Sequence, residues 1–154
     1  MILTAQEEYG IRCALTLARA QARGEDALTL TQVAEAEGLT PPYAGKLLRI
    51  LVQSGLVEST RGRAGGYRLL RPIREISVAE VLSGLGSKIY DGEICKRPPG
   101  EPGLCVHNSD CSVRSLWTGL QTMIDRYLSD TSLYDLITDE RTMSASLAVE
   151  AHHG

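Results

Sequence analysis

Apolar positions recur three and four apart over several stretches of the chain, and the pattern breaks at Gly, Pro and Asp. Over residues 4–22, Tyr9, Cys13 and Leu17 share one helical face with Ala14 and Ala18. Thr4 and Glu7 stand ahead of them with T-x-x-E spacing, the signature of a capping box, and Gly24 and Asp26 end the segment. A short second helix is predicted over 31–37, with Thr31 as its cap, Val33 and Ala34 inward and Gly38 as its stop. Thr40 is the expected cap of a third helix with Pro41 in its first turn, where a missing N–H costs nothing. Tyr43, Leu47, Leu48, Leu51 and Val52 carry that helix to about Gln53, and Gly55 ends it.

Two short helices joined by a tight Gly-containing turn form a helix-turn-helix pattern. The β-prone runs LVEST and YRLLR follow, around the turn RGRAGG, and together they predict a hairpin. A hairpin directly after a helix-turn-helix is the wing of a winged helix. Ser77 and Glu80 repeat the capping-box spacing ahead of Val78, Val81, Leu82 and Leu85. Residues 86–111 then lose periodicity and hold three cysteines, several glycines and Pro98, Pro99 and Pro102, which predicts a long loop. In 112–129, Val113, Leu116, Trp117, Leu120, Met123, Ile124, Tyr127 and Leu128 alternate three and four apart, an apolar seam of coiled-coil type. A short helix is expected near 132–138, and the chain from Arg141 reads as a poorly anchored tail in which His152 and His153 carry no information.

The expected fold is therefore mainly α: a winged helix-turn-helix with a long C-terminal dimerisation helix. Its parts are a DNA-binding domain over 1–85, a cysteine-bearing loop over 86–111, the long helix and a short successor over 112–140, and a flexible tail over 141–154. The length of 154 residues suits one domain with an appendage. With 43% hydrophobic and 23% charged residues the composition is that of a globular protein, and with no Phe the core must rest on Leu, Val, Ile and Ala. The start MILTAQEEYG shows neither the basic nor the apolar region of a signal peptide, and the longest apolar runs fall far short of a membrane span. The expectation is a cytoplasmic protein with reduced thiols and no membrane partner.

A net charge of -3 gives no hint of a nucleic-acid partner, but its distribution does. Residues 40–74 hold Lys46, Arg49, Arg61, Arg63, Arg68, Arg71 and Arg74 against Glu58 alone, a net of +6, and the rest of the chain is at −9. A basic segment in an acidic protein is the footprint of an anion-binding surface. A helix-turn-helix lays its second helix in the major groove, which puts Thr40, Pro42, Tyr43, Gly45, Lys46 and Arg49 nearest DNA. Arg61 and Arg63, beside glycines in the wing, suit a narrow and electronegative minor groove. Tyr67 alternates with Leu69 and is placed to anchor the wing. A winged helix used for protein contacts is the competing reading.

Cys95, Cys105 and Cys111 are spaced C-x9-C-x5-C, with His107 and Asp110 between the last two. Three soft ligands on one loop suit zinc or an iron–sulfur cluster, and unliganded thiols remain the alternative. The fourth coordination position falls to His107, Asp110 or a residue from elsewhere. Cys13, on the apolar face of the first helix, reads as a small core hydrophobe. No Ser/His/Asp set, phosphate loop or catalytic carboxylate pair points to an enzyme.

The strings ILTAQEEYGIRCALTLA, TLTQVAEAEGLTPPYAGKLLRILVQSGLV and STRGRAGGYRLLRP, with the SVAEVL helix, the three cysteines and the LW-containing helix, resemble the Rrf-two family of bacterial transcriptional regulators, which includes IscR, NsrR and RirA. The resemblance runs to about residue 138. It implies a homodimer crossed through the long helix, a [2Fe–2S] or [4Fe–4S] cluster on Cys95, Cys105 and Cys111, and binding to a palindromic promoter site. It matches Arg61 to a minor-groove wing arginine and Tyr43 to a tyrosine early in the recognition helix. Two departures stand out. The gap between the first two cysteines is longer than in IscR, and Arg114 occupies the position, three after the last cysteine, of the IscR histidine ligand. The carboxylate that NsrR-type proteins take from the partner subunit's first helix matches Glu8, which becomes the leading fourth ligand, with His107 second. The function implied is promoter binding controlled by a cluster that senses redox state, iron or nitric oxide. A metal-free thiol switch, a zinc-containing regulator and a protein-interaction module are the alternatives.

Overall fold

A computed structural model describes residues 3–87, 92–96, 103 and 105–151, with backbone alone at 94 and 147–151. Pro98, Pro99, Pro102, His152 and His153 lie outside the described residues. The chain divides into two compact units, Lys88–Tyr127 with Met1, and Ile2–Ser87 with Leu128–Gly154.

In the larger unit, helix α1 (Ala5–Ala22) starts at the expected capping box: the Thr4 hydroxyl accepts from the Glu7 N–H at 3.2 Å and the Glu7 carboxylate accepts from the Thr4 N–H at 2.6 Å. Glu7 and Glu8 in its first turn complement the helix dipole. Its buried face is built of small residues, Gly10, Cys13, Ala14 and Ala18, around Leu17. Small residues let other elements approach closely. A Cβ added at Gly10 would lie 2.4 Å from Leu85 Cδ2.

Helix α2 (Leu30–Glu37) is capped by Thr29 with Gln32 as reciprocal partner, not by Thr31. Thr29 has a hydrogen-bonding side chain at the third helical position, which Thr31 lacks. Gly38 closes α2 at φ 64°, the left-handed region. Helix α3 (Pro41–Gln53) follows Thr40, whose side chain makes no cap hydrogen bond, and two prolines lead it. Ala44, Leu47, Leu48 and Leu51 are its buried stripe.

Strands β1 (Val57–Thr60) and β2 (Gly66–Leu69) form the antiparallel wing, with Glu58 opposite Arg68 and Ser59 opposite Tyr67. Tyr67 also exchanges backbone hydrogen bonds with Leu28, at 3.0 and 2.7 Å, so the wing is anchored to the body as expected. A single 3₁₀ turn (Ile73–Glu75) leads into helix α4 (Val78–Gly84), which has its Ser77–Glu80 capping box. Helix α7 (Leu133–Leu136) returns to this region. Leu133 donates to the Ile76 carbonyl at 2.9 Å, Val78 donates to the Thr131 carbonyl at 2.8 Å, and Leu133 is fully buried. The core joins Leu17, Leu47, Leu48, Leu51, Ile76 and Leu133, an aliphatic core as the composition requires.

In the smaller unit, a four-residue helix, α5 (Glu93–Lys96), interrupts the stretch expected to be all loop. Helix α6 (Ser112–Asp130) spans about 28 Å at the rise of an α-helix. None of its residues is buried, and Val113, Leu116, Trp117, Leu120, Met123 and Tyr127 are exposed. In the larger unit again, the end of the chain, expected as a tail from Arg141, carries helix α8 (Glu140–Ala151), led by Asp139, whose carboxylate accepts from the Thr142 N–H at 2.8 Å.

Candidate DNA-binding surface and cysteine loop

The buried stripe of α3 fixes what its other face shows. Thr40, Pro42, Lys46 and Arg49 are exposed, and Pro42, Lys46 and Arg49 follow one another at helical spacing. An open groove of about 540 Å³ has Pro42, Lys46 and Arg49 on one side and Ser59 and Tyr67 of the wing on the other. Tyr43, half-buried, stacks edge-on against Tyr9 of α1 at a centroid distance of 6.4 Å and 79°. Lys46 Nζ lies 6.0 Å from the Tyr43 ring, so the aromatic pair props the lysine on the exposed face. Sequence reading places Tyr43 here without seeing its partner Tyr9, and it misses Ser59 altogether.

Folding sorts the seven basic residues of 40–74 into two groups. Arg68 pairs with Glu58 across the hairpin. Arg71 pairs with Glu80 and donates to the Glu75 carbonyl at 3.1 Å. The Cζ of Arg74 lies over the Tyr134 ring, 3.3 Å from its centroid. These three serve the fold. Lys46, Arg49, Arg61 and Arg63 have no carboxylate partner among the described residues, and all four are exposed. Lys46 and Arg49 line the groove, and Arg61 and Arg63 stand in the turn of the same wing that supplies Ser59 and Tyr67 to it. Exposed cations without carboxylate partners on these two elements suit a polyanion.

The cysteines separate as the spacing suggests. Cys13 is fully buried in α1, and burial, with the nearby Glu37 charge, pushes its thiol up to about 12. It is a core residue. Cys95, Cys105 and Cys111 are half-buried in the smaller unit, and none of the four cysteines is in a disulfide. The Cys105 N–H donates to the Cys95 carbonyl at 3.2 Å, which ties the short helix to the segment ahead of α6. Cys111 stands at the start of α6, where its Sγ accepts the Arg114 N–H at 3.4 Å and its carbonyl accepts from the Ser115 N–H at 3.2 Å. His107 and Asp110 are exposed in the turn between.

No three His, Cys, Asp or Glu side chains among the described residues are gathered as they would be round one metal ion. A cluster takes its thiolates on different irons, so its ligands need not converge on one point as those of a single zinc do. In donor chemistry the three half-buried thiols fit such a cluster. Glu8, in the other unit, is ion-paired with Arg12 of its own helix, at 2.6 Å from Nη2 and 2.8 Å from Nε. Both contacts fall on Glu8 Oε1.

The sequence pattern of the Rrf2 family, described as an iron-dependent transcriptional regulator, matches residues 3–139. The chain belongs to this family. It is 30% identical over 146 residues to the HTH-type transcriptional regulator IscR of Photorhabdus laumondii, covering 95% of this chain and 85% of that one. Among solved structures it is similar to IscR from T. potens, at 28% identity and a TM-score of 0.68, covering 89% of this chain and 86% of that one. It is equally similar to CymR, the global cysteine regulator of B. subtilis, at 26% identity and a TM-score of 0.68, covering 90% and 99%. The winged-helix architecture and the role of transcriptional regulator thus stand together. No helix among the described residues is long and apolar enough to cross a membrane.

Proposed function

We propose that this regulator binds a palindromic promoter site as a homodimer, and that an iron–sulfur cluster on Cys95, Cys105 and Cys111 controls its affinity. The DNA-binding half rests on four exposed cations without carboxylate partners, Lys46 and Arg49 in the groove and Arg61 and Arg63 in the turn of the wing. Lys46 and Arg49 meet the major groove, with Thr40, Pro42 and Tyr43 at the leading end of the helix, and Arg61 and Arg63 reach the minor groove. Dimerisation rests on α6, whose apolar seam is exposed in the single chain.

The bound cluster would supply a centre that changes charge and ligation on oxidation, iron loss or reaction with nitric oxide. The chain's own part is to hold it and to read its state. Cys95, Cys105 and Cys111 supply three thiolates, and the partner subunit's Glu8 is the proposed fourth ligand, ahead of His107. Arg12 orients the Glu8 carboxylate through Oε1 and leaves Oε2 outside the ion pair. Ligation by Glu8 would then tie one protomer's cysteine loop to its partner's α1. Through Tyr9 and Tyr43, α1 packs on α3. Two recognition helices must meet half-sites about one DNA turn apart, so a small change in that tie alters affinity.

The likeness to CymR favours a second reading, a metal-free switch in which Cys105 and Cys111 pair reversibly. Iron, acid-labile sulfide and zinc, measured with the visible spectrum on protein purified without oxygen, separate the two. Iron and sulfide in similar amounts are expected. Zinc alone would make the loop structural, and absence of all three would leave the thiol switch. In the same assay Glu8→Ala should lose the cluster faster with its dimer intact, and unchanged retention would exclude Glu8.

A further inference from the structure

We infer that Arg114 is the positioning residue of the third cysteine, the side chain that closes the Cys105–Cys111 turn and keeps a positive charge beside it. One side-chain hydrogen bond carries the inference, and two hydrogen bonds from backbone N–H groups define the turn that it closes. The Asn108 N–H donates to the Cys105 carbonyl at 2.9 Å. Arg114 Nη1 donates to the Asn108 carbonyl at 2.8 Å, six residues back along the chain. The Arg114 N–H donates to Cys111 Sγ at 3.4 Å. The run from Cys105 to Cys111 is therefore fastened at Asn108 by the Arg114 side chain and at Cys111 by the backbone N–H of the same residue.

The sulfur of Cys111 takes the place that a serine or aspartate oxygen takes at a helix N-cap, accepting the N–H three residues on. This fixes the direction from which the thiol is presented. The location of the cation argues the same way. A guanidinium in the first turn opposes the helix dipole, and α6 has no acidic residue in that turn to offset it. Helix stability does not explain an arginine here, whereas a turn bearing two cysteines that become negative on ligation does. Arg114 cannot itself ligate, because a guanidinium offers no lone pair. Position 114, where the family resemblance leads one to expect a ligand, holds a clamp instead.

The inference rests on the proposed cluster for its purpose but not for its geometry, so its test has an arm without metal. In apoprotein, Arg114→Ala frees the Asn108 carbonyl and loosens the turn ahead of Cys111, which should raise the iodoacetamide alkylation rate of Cys111 about three- to tenfold, the effect of one lost hydrogen bond. Arg114→Lys, which keeps a donor and the charge, should stay within about twofold of the parent. Buried Cys13 in the same samples reports global unfolding. In the iron-loaded protein, Arg114→Ala should speed cluster loss to a chelator and lower the midpoint potential, since removing a nearby cation disfavours the added electron, and Arg114→Lys should restore both. Equal Cys111 rates in the parent and Arg114→Ala, or a rise matched at Cys13, overturn the inference. A parent protein without iron and sulfide overturns the proposed cluster, and the alkylation arm still decides on Arg114.

Discussion

At the scale of single residues, the wing depends on a glycine. Gly66 has φ 151°, and a Cβ there would lie 2.4 Å from the Leu28 carbonyl oxygen, the atom that accepts from the Tyr67 N–H. A contact with backbone cannot be relieved by a rotamer change. Gly66→Ala should cost about 2–3 kcal/mol in urea unfolding and weaken DNA binding by displacing the wing. Glu80 makes a pH prediction. Burial acts to raise its carboxyl, but the Ser77 N–H, Arg71 and the Ser77 hydroxyl outweigh that and hold it below its ordinary value. A carboxyl depressed in the folded state stabilises above its unfolded pKa, and that contribution is lost as pH falls through the folded value. Glu80 is partly exposed, so Glu80→Gln should cost only about 0.5–1 kcal/mol at pH 7. The parent and the variant should converge in thermal melts as pH falls below the lowered folded pKa of Glu80.

At the scale of elements, the partition of the basic residues predicts which charges DNA feels. Arg61→Ala should reduce the slope of log K against log salt by about one per subunit with melting unchanged, because the residue is exposed at the wing tip. Arg68→Ala should change the slope less, since Arg68 already faces Glu58. The contrast shows what is legible in sequence. The Thr4 and Ser77 capping boxes can be read directly, because cap and partner are three residues apart and ahead of an apolar run. At α2 two threonines precede the run, and only Thr29 has a partner, Gln32. The pairing of Arg68 with Glu58 depends on hairpin register, and that of Arg71 with Glu80 spans a turn. The sequence therefore counts seven cations where the fold leaves four exposed and unpaired among the described residues. The cysteine loop was legible in its ligand types alone. The short α5 and the reach of Arg114 back to Asn108 leave no periodic signal, because they are set by contacts within the loop itself. Helix α8 has no clean apolar seam, and for that reason its segment reads as a tail in the sequence.

At the scale of the whole molecule, α6 would decide, in the proposed homodimer, whether the two DNA-reading surfaces act together. Leu116 and Met123 are seven residues apart, the repeat of a coiled-coil seam, and both are more than 60% exposed in the single chain. Such side chains gain from burial against a second copy, and charges placed there should separate the copies with little harm to the chain's own core, which neither residue joins. Leu116→Glu combined with Met123→Glu should halve the mass in sedimentation equilibrium and leave the far-UV circular dichroism unchanged. Two half-sites read by one dimer benefit from the high effective concentration of the second recognition helix. The monomer should therefore bind a full promoter site about 10²–10⁴-fold more weakly. Its salt slope should fall to about half, because one set of Lys46, Arg49, Arg61 and Arg63 then meets the phosphates instead of two. If Glu8 reaches across to the partner's cysteine loop, the same variant should also lose its cluster faster, as Glu8→Ala does. Retained cluster in a proven monomer would place the fourth ligand within the single chain and favour His107.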